Sequence, residues 1–500
     1  MSKLVLITTL LAYFALLLFI AWLTARRGSG NQAFFRGSQS SPWLAVSFGM
    51  IGASISGVTF VSVPGMVQSI DLTYLQTCMG FFFGYILVAK VLLPLYYRMG
   101  VTSIYSYLET RFGTHTYHTG AAFFVLSRMT GAAARLYLVC LILYNFVFAS
   151  LGVPFWALSA GIIVCIWLYT HKSGIATIVW TDTMLTFCLL GALIWILIAV
   201  MGRLDLSFSE TWQAVSTNPH FRIFEFHDWH SKQHFVKQFF SGVFIVVVMT
   251  GLDQDMMQKN LSCRTLKASQ KNMILNGSTY MPVNFLFLVL GILLLLVAQK
   301  EGFTLPDKGD EILPFFAASG ILGVPVLILF TVGIIAAAFS SADSALTALT
   351  TSICVDFLGL EKKTNSPSAT SETTRKAIRL RHKVHIGVSV CILGFILAFK
   401  AVDNKSVIDT IYTLCGYTYG PLLGFYAFGL YTHRTPRDRW VPLIAISSPL
   451  LCGVLNYIVS TQYGYTFGYE LLMLNGFFTF AGLWGLAIKN RKLKPIPNGY

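Results

Sequence analysis

Charge is what this sequence has least of. Asp, Glu, Lys and Arg together make up 11% of 500 residues, against roughly a quarter in an average soluble protein. A soluble fold of this length could not cover its surface with so few charges. Disorder is excluded too, because it needs low hydrophobicity and high charge, and the set AVILMFWYC is 55% before 41 Gly are added. No CxxC occurs, and no Cys/His spacing suited to a metal. Eight of the nine cysteines lie in apolar stretches and Cys263 in a basic loop, none in a segment assigned below to the outside, so no disulfide is expected. No nucleophile elbow, HExxH or phosphate-binding glycine loop is present, which argues against an enzyme. The apolar runs are continuous rather than alternating, so a barrel is excluded. What remains is an all-α polytopic membrane protein, whose net charge of +15 needs a membrane explanation before a nucleic-acid one.

A bilayer-crossing helix needs about 20 mostly apolar residues. Thirteen segments qualify, at about 4–24, 42–66, 74–98, 119–149, 153–170, 174–201, 234–258, 274–299, 318–355, 384–400, 406–431, 439–460 and 467–488. The first is too long for a signal peptide, lacks a small-residue cleavage site and ends in Arg26-Arg27, so it reads as a retained anchor helix. Of the 36 Lys and Arg, 24 fall in one alternate set of connections and 9 in the other. Lys90, Arg128 and Arg135 fall within spans. By the positive-inside rule the N-terminus is outside and the C-terminus cytoplasmic, in a cell membrane. The chain divides into an anchor helix and first cytoplasmic loop (1–41), five spans (42–201), an outer loop (202–233), five more spans (234–431), and two final helices with a basic tail (432–500). The Ser/Thr/Lys-rich connection at about 359–383 reads as a mobile inner loop.

An ionisable group at bilayer depth is costly, so each is a functional candidate. Lys90 is near enough to the inner end of its helix to snorkel. Arg128 and Arg135 are two turns apart on one face. Arg128 suits a structural role; Arg135 suits either structural pairing or a carboxylate substrate, which guanidinium binds bidentately. Asp182 lies between hydroxyls in Trp180-Thr181-Asp182-Thr183 and suits a free cation, a helix cap or a pair with an arginine of another span. Ala337, Ser340, Ser341 and Ser344 form one stripe of a helix. Small residues there serve close packing, but Asp343 beside them is not needed for packing, whereas a hard cation needs oxygens. Two spans are interrupted, at Ser54-Ile55-Ser56-Gly57-Val58-Thr59 and at Thr250-Gly251-Leu252-Asp253-Gln254-Asp255. Unwound backbone at this depth is tolerated only in a cavity or buried in protein. Broken helices at corresponding positions of two halves point to a transporter binding site. Each break opens a group of five spans, and an odd number inverts the second group.

These residues resemble the sodium/solute symporter family, whose members carry sugars, proline, pantothenate, iodide or sialic acid. The resemblance covers nearly the whole chain. It is carried by Ile55-Ser56-Gly57-Val58-Thr59-Phe60 with Pro64-Gly65; by Leu93-Pro94-Leu95-Tyr96-Tyr97-Arg98 with Ser103-Ile104-Tyr105; by Trp180-Thr181-Asp182; by Gly251-Leu252-Asp253-Gln254 with Gln258-Lys259; by Ala336 through Ser344; and by Gly416 through Gly424.

The resemblance implies a LeuT-type five-plus-five inverted repeat with one helix before it and two after. It implies Na⁺-coupled alternating access, moving a small molecule into the cytoplasm. It implies one sodium held by the carbonyls of Gly52, Ile55 and Ala337 and the hydroxyls of Ser340 and Ser341. Some members use a second site matching Asp182, Ser340, Asp343 and Ser344; Asp343 stands where a hydroxyl is expected, so that site binds a sodium or a proton. Substrate contacts map to Ser54, Ser56, Thr59, Tyr74, Cys78, Arg135 and Asp253. The Glu and Gln of the sugar carriers are absent at Val58 and Thr59, which argues against hexoses. The hydroxyls of the break with Arg135 lean towards an organic anion such as a sialic acid, although a binding glutamine of that type aligns to Cys78. The competing expectations are a proton-coupled carrier on the same scaffold and a non-transporting solute sensor. No nucleic-acid or protein partner is implied; the partners are substrate, sodium and the lipid bilayer.

Overall fold

The computed structural model describes residues 2–25, 34–35, 42–171, 175–364, 370–401 and 407–488. The architecture is helical. In chain order the main helices are α1 (Ser2–Ala25), α2 (Trp43–Ser54), α3 (Gly57–Ile70), α4 (Tyr74–Met99), α5 (Thr114–Leu143), α6 (Phe155–Thr170), α7 (Ile175–Leu204), α8 (Phe235–Gly251), α9 (Gln254–Leu261), α10 (Leu266–Glu301), α11 (Val324–Phe357), α12 (Ser371–Lys400), α13 (Val407–Tyr431), α14 (Val441–Tyr463) and α15 (Leu471–Gly485). One antiparallel strand pairing, Thr435–Pro436 with Ala487–Ile488, is found among the described residues. Among the described residues, seven helices are long and apolar enough to cross a membrane, or up to nine spans when each of two bent pairs counts as one.

The bent pairs fall where the sequence loses its apolar run. α2 and α3 meet at 51°, and α8 and α9 at 64°. Each is followed by four further main helices, α4–α7 after the first and α10–α13 after the second. The exposed large apolar side chains crowd onto peripheral helices, among them Phe19 and Trp22 of α1, Phe187 and Ile194 of α7, and Leu450 and Val454 of α14. Apolar patches of that extent face lipid, not water. Gly416, Gly420 and Gly424 lie one turn apart on α13 and let α15 approach; a Cβ on Gly420 would collide with Asn475, and one on Gly424 with Thr479.

Two regions read as loops carry structure. α12 begins at Ser371, well before 384. The Thr370 hydroxyl caps it by accepting from Thr373 N at 3.2 Å, and Lys376 pairs with Glu372 at 2.7 Å. Arg381 in this stretch is buried and stacks 4.3 Å from the Phe34 ring centroid; residues 365–369 of the connection lie outside the described residues. In the connection between α7 and α8 a helix runs over Phe208–Ser216. It is started by a capping box in which Ser207 and Glu210 bond each other's backbone amides.

Candidate functional site

α2 ends at Ser54 because Ser54-Ile55-Ser56-Gly57 puts hydroxyls and a glycine where a helix would continue, and these favour non-helical backbone. Ile55 leaves helical geometry at φ −87°, ψ 79°. Ser56 is extended and starts α3 by accepting from Phe60 N at 3.1 Å. No backbone hydrogen bond crosses the break to the carbonyls of residues 52–55 among the described residues. These are the orphan acceptors of a helix C-terminus.

α11 lies against this opening. A Cβ on Gly57 would sit 3.6 Å from both Ala337 Cβ and Ile334 O. Gly52 faces α7, where a Cβ would strike Thr186 Oγ1. Ser340 and Ser341 follow Ala337 on the same face of α11. Both are buried, and neither hydroxyl has a hydrogen-bond partner among the described residues. Most buried hydroxyls are paired, so two adjacent orphans beside open carbonyls call for an explanation. A cation that prefers oxygen supplies one.

The second break differs. Tyr96 donates to Gly251 O and Tyr105 to Leu252 O, each at 2.9 Å. Asp253 caps α9, accepting from Asp255 N at 2.9 Å and Met256 N at 3.3 Å. Tyr419 donates to its other oxygen at 2.5 Å. Gln254 bridges to Thr102 O and Ile104 N at 2.8 and 3.0 Å. The second break is therefore satisfied by protein, whereas the first leaves its carbonyls free.

A cavity of about 640 Å³, open mouth included, lies beside both breaks. Ser54, Ser56, Thr59, Arg128, Arg135, Tyr85, Tyr280 and Tyr412 are in its wall. The two arginines differ in their surroundings. Arg128 is ion-paired with Asp255 and lies 3.8 Å from Asp253. Arg135 makes no hydrogen bond or ion pair among the described residues, so the cavity presents one guanidinium without a direct partner. Tyr74 is behind the wall, its hydroxyl 3.0 Å from that of Tyr412. Cys78 and Asp253 are buried and do not line the cavity. Ser54 receives hydrogen bonds from Asn276 at 3.1 Å and Tyr85 at 3.3 Å. Neither residue was singled out from sequence; an Asn or Tyr in a span was the available signal.

Asp182, Asp343 and Ser344 are brought together. Ser344 Oγ is 3.2 Å from Asp343 and 3.5 Å from Asp182, and Tyr169 donates to Asp343 at 2.9 Å. Ser340 lies beside Asp182 without hydrogen bonding to it. Lys259 joins them, its Nζ 2.7 Å from Asp182 Oδ2. The sequence reading counts this lysine with a basic connection; here its side chain is 1% exposed.

The sequence profile of the Sodium:solute symporter family matches residues 34–438. The chain belongs to that family. Among its relatives are the sodium/sialic acid symporter NanT of Aliivibrio fischeri, 25% identical over 85% of this chain and 82% of that protein, and SiaT of Proteus mirabilis, 24% identical over 88% and 87%. A solved structure of a Na⁺-coupled sialic acid symporter, described as substrate-bound and outward-open, superimposes with a TM-score of 0.80 at 20% identity over 95% of this chain and 96% of that one. The likeness supports the LeuT-type fold for this symporter-family chain.

Proposed function

We propose that the chain is a secondary transporter that couples inward movement of sodium to uptake of a small organic anion by alternating access. One sodium binds to the carbonyls of Gly52, Ile55 and Ala337 and the hydroxyls of Ser340 and Ser341. The observation that carries this reading is the pair of buried, unpartnered hydroxyls of Ser340 and Ser341 on the helix that packs on the open break. The contrast with the second break, whose carbonyls are already taken by tyrosines, supports the choice of the first.

The solute binds in the cavity beside Ser54, Ser56 and Thr59, with its carboxylate on Arg135. The lean to an anion rests on Arg135 lacking a carboxylate while Arg128 has two within 4 Å. The sialic acid symporters among the relatives agree with this lean. The polypeptide crosses the membrane thirteen times, as α1, two groups of five spans, α14 and α15, with the N-terminus outside and the C-terminus cytoplasmic. Sodium holds the break in order, solute binds beside it, and one bundle rocks against the other. Each charge moved contributes about 2.3 kcal/mol per 100 mV of membrane potential.

The test is thermal stabilisation of purified protein with N-acetylneuraminate, short monocarboxylates, amino acids and hexoses, in sodium and in potassium. A true substrate raises the transition in sodium and less in potassium. Carboxylates are expected to do so. Stabilisation by neutral hexoses alone, or equal effects in both salts, defeats the proposal.

A further inference from the structure

The cluster around Asp182 already contains a cation that belongs to the protein. Lys259 of α9 meets Asp182 of α7 at 2.7 Å, with side chains 1% and 0% exposed. Ser344 of α11 bridges the same Asp182 oxygen and Asp343, at 3.5 and 3.2 Å. Tyr169 of α6 holds the other Asp343 oxygen at 2.9 Å. Four helices thus converge on two carboxylates and one ammonium, in a region where ions are strongly disfavoured unless balanced. Asp343 is close enough to Lys259 and Asp182 for their charges to interact. Asp255, the next acidic neighbour, has its own partner in Arg128.

The local charge count decides between one extra cation and two. Asp182 and Asp343 carry two negative charges and Lys259 one positive charge. A single sodium at Ser340 and Ser341, on the turn of α11 before Ser344, brings the sum to zero. A second sodium would leave an uncompensated positive charge at bilayer depth. Of the two Asp182 oxygens, Oδ2, which Ser344 also reaches, is already in contact with the ammonium, while Oδ1 has no hydrogen-bond partner among the described residues.

We propose that the Lys259 ammonium takes the place of a second cation, so that each chain binds one sodium. This rests on the sodium-coupled reading above and adds its stoichiometry. With a monovalent anion as solute, the ions entering in each cycle carry no net charge.

The experiment needs no identified solute. Binding of ²²Na⁺ to the purified full-length chain in lipid nanodiscs is titrated to saturation. One sodium per chain is expected for the wild type, and one with a Kd about thirtyfold higher for Ser341→Ala. Lys259→Met, which frees Asp182, is expected to bind two, and Lys259→Arg, which keeps the charge, one. Should Lys259→Met not fold, Lys259→Gln removes the charge, keeps a hydrogen-bond donor for Asp182, and is also expected to bind two. Two sodium ions in the wild type would overturn the inference. So would one in a folded Lys259→Met or Lys259→Gln, or an unshifted Kd in Ser341→Ala. No saturable sodium binding by the wild type would overturn the sodium-coupled reading itself, a result distinct from all of these.

Discussion

Replacing Ser341 with alanine separates a sodium ligand from a structural hydroxyl. Ser341 Oγ is buried and has no hydrogen-bond partner among the described residues. Its removal orphans no protein group, and it relieves a buried, unsatisfied hydroxyl that costs about 1–3 kcal/mol. Without sodium, the Ser341→Ala protein is therefore expected to melt at or slightly above the wild-type temperature. With sodium the order reverses. A hydrogen-bond-like contact to a charged group contributes about 1.5–3 kcal/mol, and 2 kcal/mol corresponds to roughly thirtyfold in affinity. At a sodium concentration a hundred times the wild-type Kd, binding stabilises the wild type by about 2.7 kcal/mol. A thirtyfold weaker site leaves about 0.9 kcal/mol at the same concentration. Ser344→Ala is the control, because that hydroxyl is bonded to Asp343 and Asp182. Its loss is expected to cost about 1 kcal/mol with or without sodium. The assay is a melting curve in a series of sodium concentrations with potassium holding ionic strength constant. The reasoning fails if sodium-free Ser341→Ala melts well below wild type, since the hydroxyl would then be bonded. It fails equally if the sodium dependence of the variant matches that of the wild type.

Arg128→Met leaves Asp253 and Asp255 without their cation and is expected to destabilise by about 3–5 kcal/mol, read as lost expression or a lowered melting transition. Arg135→Met breaks no pair, so it should melt close to wild type yet lose the stabilisation given by carboxylate solutes. Gly52→Ala drives a methyl into Thr186 Oγ1 and is expected to abolish sodium-dependent stabilisation; Gly52→Ala/Thr186→Ala should recover part of it. Glu210 is held below its ordinary carboxylate pKa, first by its hydrogen bond from the Ser207 hydroxyl and then by that from the Ser207 amide. The cap it forms is present at neutral pH and lost as pH falls through that lowered value. Amide exchange over 208–216, corrected for its intrinsic pH dependence, should quicken there in wild type and be fast at all pH in Glu210→Gln/Ser207→Ala.

What the sequence made legible is local. The stripe of Ala337, Ser340, Ser341 and Ser344 follows from helical period alone, and both breaks follow from lost apolar runs. Capping is local too. Asp253 before Gln254-Asp255-Met256 is an N-cap pattern, and Thr370 with Glu372 and Lys376 marks a helix start; charge density there was read instead as a mobile loop. What was not legible depends on residues meeting from distant helices. Lys259 stands among Arg264, Lys267 and Lys271 in the chain, so it reads as surface charge. Its meaning comes from Asp182, 77 positions away, and no periodicity links the two. The same holds for the choice between breaks. Both expose carbonyls by the same backbone chemistry, and they differ only in that Tyr96 and Tyr105 reach the second from about 150 positions away. A cation competes for carbonyls that the rest of the fold has left unbonded. The sequence can therefore nominate two breaks, but the tyrosines of other helices decide which one a sodium ion can use.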